Sequence, residues 1–333
     1  MIIRLKQGCD KNEALHLAAP FYGILVQDGG EDVLVISGKI QELPSILEPF
    51  AEEVIPTEGD FQLSARRYRN EKRAIKLSSG LTIGGTTTNC VLMIGPCSVE
   101  EEEQIEAVAQ FCVAQGIRVL RAGAFKPRTA PYSFQGLGLE GLKLLARMRE
   151  KYGLLIITEA RDATHIEAVI EHSDIVQVGA KAMYDHGILK ACGKARKPVL
   201  IKRGFGSTLQ ELVQASEFVL SAGNEQVMLC ERGIRTFETK TRFTLDLCGV
   251  AWLKEHCNLP IILDPSHAMG YAYGVPDLAR ACLAMGVDGL LVEVHPFPAK
   301  ALSDSSQQLN FEQFARLKSS LIPLAQAIGI TLI

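Results

Sequence analysis

The sequence predicts an α/β protein, a (β/α)8 (TIM) barrel preceded by a small ferredoxin-like α+β domain. Three observations lead there. From residue 90 onward, apolar strand-length runs alternate with amphipathic helix-length segments eight times. The chain has 333 residues, more than the roughly 250 that one barrel needs, which leaves room for the extra domain. No Gly-x-Gly-x-x-Gly follows the first of these runs, so an open dinucleotide-binding sheet has no support.

Residues 1–57 form a self-contained pattern. Ile2 to Lys6 alternates like a strand and Asn12 to Ala19 suits a helix. Phe21 to Gln27 and Val33 to Ile36 read as a hairpin around Asp28-Gly29-Gly30. Leu43 to Phe50 reads as a second helix and Glu53 to Ile55 as a closing strand. That order, βαββαβ, is the ferredoxin-like motif. Residues 58–85 follow as a polar, basic and solvated linker with a short hairpin, Ala74–Leu77 against Leu81–Ile83.

Residues 86–333 hold the barrel. Its strands read Cys90–Gly95, Ile117–Arg121, Leu154–Thr158 and Asp174–Val178, then Pro198–Ile201, Gln226–Leu229, Pro260–Leu263 and Gly289–Val292. Near-continuous Val/Ile/Leu runs joined by helical crossovers imply parallel strands buried on both faces. Helices are expected over Glu101–Gln115, Leu139–Lys151, Leu209–Ser221, Arg242–His256 and Phe311–Ile328.

Composition narrows the function classes. Apolar residues make up 47% and charged residues 22%, the balance of a globular protein. A net charge of −3 argues against nucleic acid as a partner. No apolar run approaches the roughly 20 residues of a membrane helix, and no signal peptide is expected. Nine cysteines without a Cys-x-x-Cys pair read as reduced thiols in a cytoplasmic protein.

A barrel enzyme builds its site from the loops after its strands, and the unusual residues fall there. Arg121, Lys126, Arg128, Lys181, Lys202, Arg203, Arg232 and Arg235 converge on one mouth of an acidic chain. Confining them there is costly unless anions neutralise them, so phosphates and carboxylates are the expected ligands. In a closed ring the last strand neighbours the first. Cys97, His267 and Glu293 then end three consecutive strands, with Asp304 in the loop beyond. A thiolate, an imidazole and two carboxylates suit one divalent ion without choosing among Mn2+, Fe2+, Zn2+ and Co2+. Each has a plainer reading: Cys97 as core filler, His267 as a turn residue with His295 its competitor. Asp264 is read as the support of a ligand or as a base near the substrate. Glu159 and Asp162 read as caps of the following helix, and Glu238 as the partner of an arginine.

The ordered set of motifs resembles the type I 3-deoxy-D-arabino-heptulosonate-7-phosphate (DAHP) synthases, in the branch with an N-terminal ferredoxin-like domain. The resemblance spans essentially the whole chain. It rests on Gly95-Pro96-Cys97-Ser98-Val99-Glu100, on Arg121 to Gly136 (RAGAFKPRTAPYSFQG) and on Lys202-Arg203-Gly204. It rests equally on Cys230 to Glu238 (CERGIRTFE), Asp264-Pro-Ser-His267, Glu293-Val-His-Pro and Ser303-Asp304. It implies Cys97, His267, Glu293 and Asp304 as metal ligands. Arg121, Lys126, Lys202 and Arg232 would bind phosphoenolpyruvate, and Lys126-Pro127-Arg128-Thr129 would receive erythrose 4-phosphate. The implied reaction is an aldol-like condensation releasing phosphate, the first step of the shikimate pathway. Lys126, Asp264 and His267 are then the candidate catalytic residues, with Lys126, desolvated beside other cations, as proton shuttle. The resemblance also implies a homotetramer and an aromatic amino-acid effector acting through residues 1–57. One loop departs from the family: Lys181-Ala182-Met183-Tyr184 stands where Arg-Asn is usual, so Lys181 keeps the charge but loses the bidentate fork. That departure keeps open a synthase acting on another aldose phosphate; a metabolite-binding regulator on a decayed barrel is the alternative from another class, against which the intact metal quartet argues.

Overall fold

The computed structural model describes residues 1–57, 59, 61–126, 130 and 132–333. The chain opens with β1 (Ile2–Leu5), α1 (Lys11–Ala18), β2 (Ile24–Asp28), β3 (Glu31–Val35) and β4 (Ala51–Ile55). These strands form an antiparallel sheet in the order β2-β3-β1-β4. Asp10 starts α1 by accepting from the amides of Asn12 and Glu13. Gly29 and Gly30, both at positive φ, make the tight β2–β3 turn that only a primed hairpin geometry allows.

The expected second helix, Leu43–Phe50, is a 3-10 segment, Ser45–Phe50. Pro44 precedes it and Pro49 lies inside it, and a proline interrupts the i to i−4 ladder that an α-helix requires.

Alternation along the strands splits this sheet between two cores. Ile3, Leu5 and Leu34 face α1 and Leu47. Ile2, Val26, Val33 and Ile55 face the other way and join the core of the barrel.

Residues 61–73 are largely packed, contrary to the solvated linker expected from their charge, with Arg67, Asn70 and Glu71 exposed. Arg73 is buried, donating from Nη1 and Nη2 to Asp28 (2.6 and 3.2 Å) and from Nη2 to the Leu63 carbonyl (2.9 Å). Tyr68 Oη donates to the same Asp28 at 2.8 Å. The amides of Gln62, Leu63 and Ser64 donate to Glu217, a side chain of a barrel helix. Charge patterning misread this stretch because its polar groups are spent on buried carboxylates and carbonyls rather than on water.

The hairpin β5 (Ala74–Lys76) and β6 (Thr82–Gly84) follows. Ile75, Leu77, Leu81 and Ile83 pack with Val91, Met93 and other inward residues of the barrel, plugging its lower end.

The barrel strands are β7 (Asn89–Gly95), β8 (Val119–Arg121), β9 (Leu155–Ala160), β10 (Ile175–Val178), β11 (Val199–Lys202), β12 (Val227–Glu231), β13 (Ile261–Leu263) and β14 (Gly289–Glu293). Each pairs in parallel with the next, and β14 pairs with β7 from Gly289↔Val91 to Glu293↔Gly95, which closes the ring. Outside them run α2 (Glu102–Ala114), α3 (Leu139–Tyr152), α4 (Ile166–His172), α5 (His186–Ala195), α6 (Leu209–Leu220) and α7 (Leu247–His256). After these come a short α8 (Pro265–Met269), then α9 (Val275–Ala284) and α10 (Phe311–Ala327). A terminal β15 (Thr331–Leu332) adds to β7.

Helix α7 begins at Leu247, five residues later than the expected Arg242, because Asp246 caps it by accepting from the Gly249 amide. Arg242 is thereby released into the loop at the barrel mouth. No helix among the described residues is long and apolar enough to cross a membrane.

Candidate active site

The strand ends bring the sequence-predicted ligands together. Gly95 closes β7 at φ 149, where a Cβ would lie 2.1 Å from the Arg121 carbonyl oxygen. The missing side chain lets the turn carrying Cys97 press against the end of β8. Cys97 Sγ comes within 3.3 Å of Asp304 Oδ2. His267 Nε2 lies 3.5 Å from Glu293 Oε1 and 3.8 Å from Asp304 Oδ2. One donor atom from each of the four lies within 4.8 Å of all the others. That spacing and mixture of sulfur, nitrogen and oxygen fit a single first-row divalent ion.

The surroundings prepare each member of this quartet. Asp264 Oδ2 lies 2.8 Å from His267 Nδ1. With the Nδ1 proton held there, Nε2 is left as a lone pair facing the two acids. Burial lowers the His267 pKa more than Asp264 and Glu293 raise it, so the ring is neutral, as a ligand must be. Burial would raise the Asp264 carboxyl, yet His267 and Lys202 hold it well below the usual carboxylate range. Lys202 Nζ donates to Asp264 Oδ2 at 2.6 Å. Burial and the Glu293 carboxylate push the Cys97 thiol up to about 12, so the thiolate needs a cation beside it. Lys126 Nζ is 3.0 Å from both the sulfur and the carbonyl of Cys97.

The near neighbours of Lys126 differ from those the sequence implied. Burial favours its neutral form, but Cys97, Glu159 and Glu293 outweigh burial and raise its pKa, so it stays an ammonium.

Above the quartet lies a cavity of about 380 Å³, lined by Lys126, Lys181, Lys202 and Arg232 among others. Arg121 sits beneath, donating to Glu293 Oε1 (2.8 Å) and the Pro96 carbonyl (2.7 Å). Arg232 Nε and Nη1 and Arg121 Nε are buried with no hydrogen-bond partner among the described residues. Buried donors of this kind are costly to leave unmade.

Two of the predicted cations do not line this cavity. Arg203 is locked between Glu231 (2.9 Å) and Asp246 (2.8 Å), and Arg235 lies over the Phe205 ring, exposed. Pro127, Arg128 and Thr129 lie outside the described residues.

Other expectations are corrected by geometry. His295 faces Glu100, 3.5 Å away, and is not part of the quartet. Glu159 lies within β9 and reaches the cavity, where it accepts from Gln177 Nε2 at 2.7 Å, so it is not a helix cap. Glu238 accepts from the Thr239 and Lys240 amides rather than from an arginine.

Two site residues escaped the sequence reading. Arg242 lines the cavity 3.4 Å from Asp304 Oδ1, and the helix signal around it hid its place in a loop. Gln307 donates to Glu293 Oε2 at 2.5 Å and accepts from Arg242 Nη1 at 2.6 Å. Nothing in a lone glutamine announces such a contact.

The profile of the DAHP synthetase I family matches residues 70–328. The chain belongs to this family. A phospho-2-dehydro-3-deoxyheptonate aldolase of Thermotoga maritima is 41% identical over 301 residues, covering 90% of this chain and 87% of that protein. The crystal structure of the Thermotoga maritima DAHP synthase superposes with a TM-score of 0.80 at 36% identity, covering 100% of this chain and 98% of that one. A 2-dehydro-3-deoxyphosphooctonate aldolase of Magnetococcus marinus is 33% identical over 248 residues, covering 69% of this chain and 85% of that protein. Membership of the DAHP synthetase I family makes the chain an enzyme. The family match begins after the N-terminal sheet, so it concerns the barrel and the cluster in its mouth.

Proposed function

We propose that the chain condenses phosphoenolpyruvate with erythrose 4-phosphate, giving 3-deoxy-D-arabino-heptulosonate 7-phosphate and inorganic phosphate, the first step of the shikimate pathway. The observation that carries this reading is the close approach of Cys97, His267, Glu293 and Asp304 beside buried arginine donors without partners among the described residues. Those four residues would hold one divalent ion, Mn2+, Fe2+, Zn2+ or Co2+. Bound there, the ion supplies Lewis acidity toward an aldehyde oxygen.

The protein's own groups account for the rest. Arg121, Lys202 and Arg232 bind and orient the carboxylate and phosphate of phosphoenolpyruvate, whose charge they offset throughout. Carbon 3 of phosphoenolpyruvate forms a bond to the aldehyde carbon. The aldehyde oxygen takes a proton from Lys126, which enters the reaction charged. Water adds at carbon 2, giving up one proton that restores the Lys126 ammonium; phosphate then leaves with its C–O bond broken and takes the remaining hydroxyl proton as carbon 2 becomes the ketone. Asp264 holds the His267 ring in its ligating tautomer. Pro127, Arg128 and Thr129 would meet the second substrate, and Lys181 stands where the family's arginine helps hold phosphoenolpyruvate.

Phosphate release from the two substrates, assayed with each of the four ions in turn, tests the reading. Turnover is expected with at least one, and no release with any of them would reject it. The octonate-aldolase relative at 33% identity, together with Lys181, supports a second reading, condensation with a five-carbon aldose phosphate. The ratio of rates on four- and five-carbon aldose phosphates decides, and the four-carbon substrate is expected to win.

The N-terminal sheet is proposed as a regulatory and assembly module in a homotetramer, with an aromatic amino acid as effector. Its support is a compact fold that contributes no residue to the cavity. All nine cysteines are free, which fits a reducing, cytoplasmic setting.

A further inference from the structure

Arginines at the barrel mouth are held in two different ways. Arg121 and Arg203 are held by carboxylates, Glu293 in one case and Glu231 with Asp246 in the other. Arg232 has no such brace, although it is only 4% exposed and its Nε and Nη1 find no partner among the described residues. Its guanidinium carbon lies instead 4.3 Å from the centroid of the Phe243 ring. Phe243 stacks on Phe205 with centroids 5.6 Å apart and planes 25° apart, and Phe205 carries Arg235 at 4.7 Å. Arg242 also lies over Phe243, at 5.8 Å from its centroid, so three cations and two rings join the loops after β11 and β12 to the segment before α7. The approach depends on Gly233, where a Cβ would lie 2.6 Å from that of Phe243.

A carboxylate brace consumes N–H donors and cancels charge. A ring face attracts the cation through its quadrupole and takes neither, because all the guanidinium donors lie at the edge of the plane. We propose that Phe243, backed by Phe205, is a positioning residue that holds Arg232 by its face, leaving the Nε/Nη1 edge free to grip an oxyanion of phosphoenolpyruvate. This rests on the proposed function, in which Arg232 receives that substrate.

The test is direct binding of phosphoenolpyruvate to the full-length, metal-loaded protein without the aldehyde, alongside steady-state kinetics. F243L should weaken binding and raise KM for phosphoenolpyruvate by about 2- to 30-fold, the range of a lost cation–ring contact, while kcat moves less. F243Y keeps the ring and should bind like the unaltered chain. F205L, which removes only the backing, should give a smaller loss in the same direction. In an R232K background, where the planar edge is gone, F243L should add little. An unchanged dissociation constant in F243L, or an equal loss in F243Y, overturns the proposal. If F243L does not fold, Phe243→Met fills the space without a ring and is read the same way. An unaltered chain that fails to bind phosphoenolpyruvate would sink the proposed function itself, which is a different result from normal binding that ignores Phe243.

Discussion

Behind Glu293, the Gln307 side chain donates to Oε2 through its amide nitrogen and accepts from Arg242 through its oxygen. An amide can present either end, and the Arg242 donor fixes which end faces the carboxylate. We therefore expect Q307L to weaken divalent-ion binding by about 10- to 100-fold, read by competition with a chelator. An unchanged affinity would show that the contact is packing alone. Cys97 gives a second expectation. Its thiol is pushed up to about 12, so it is protonated near neutral pH in the ion-free protein. Loading the ion must displace that proton, and affinity should rise with pH. Calorimetry in buffers of different ionisation heat should register about one proton released per ion, and C97A should release none. At this scale the sequence exposed residues whose type and place at a strand end are both unusual, such as Cys97 and His267. It hid Gln307 and Arg242, whose roles depend on side chains meeting across loops far apart in the chain.

Among the elements, the segment before the barrel is tied to the N-terminal sheet by a buried ion pair. Arg73 and Asp28 meet at 2.6 Å with almost no solvent exposure, and Tyr68 shares the carboxylate. Removing one partner of such a pair strands the other, at a cost of about 3–5 kcal/mol. R73L should lower the denaturant midpoint accordingly, without altering phosphate release per folded molecule. A midpoint equal to that of the unaltered chain would mean the pair is solvated in solution. The barrel strands were legible because continuous Val, Ile and Leu runs have few other homes than a doubly covered parallel sheet. The 45–50 segment and the basic stretch before β5 were not. In the first, two prolines override helical periodicity. In the second, the carboxylates that bury the charge come from distant positions, Asp28 and Glu217.

For the whole molecule, the question is how far the N-terminal sheet and the barrel depend on each other. Ile2, Val26, Val33 and Ile55 share the barrel's core, so the interface is apolar as well as ionic. Deleting residues 1–70 here should leave phosphate release intact while lowering the melting temperature, since apolar surface is uncovered and Arg73 loses Asp28. Any feedback by tyrosine or phenylalanine that the full chain possesses should vanish with the sheet. Loss of turnover in a deletion that still melts cooperatively would place the sheet in catalysis after all.

Ring closure also sets when the site comes into being. Cys97 and Asp304 touch across 207 positions of sequence, on either side of the seam where β14 meets β7. During synthesis the thiol emerges well before its acidic counterparts, Glu293 and Asp304. No nascent fragment can capture the ion with the full set. An ion held by all four residues would clasp the first strand of the ring to its last.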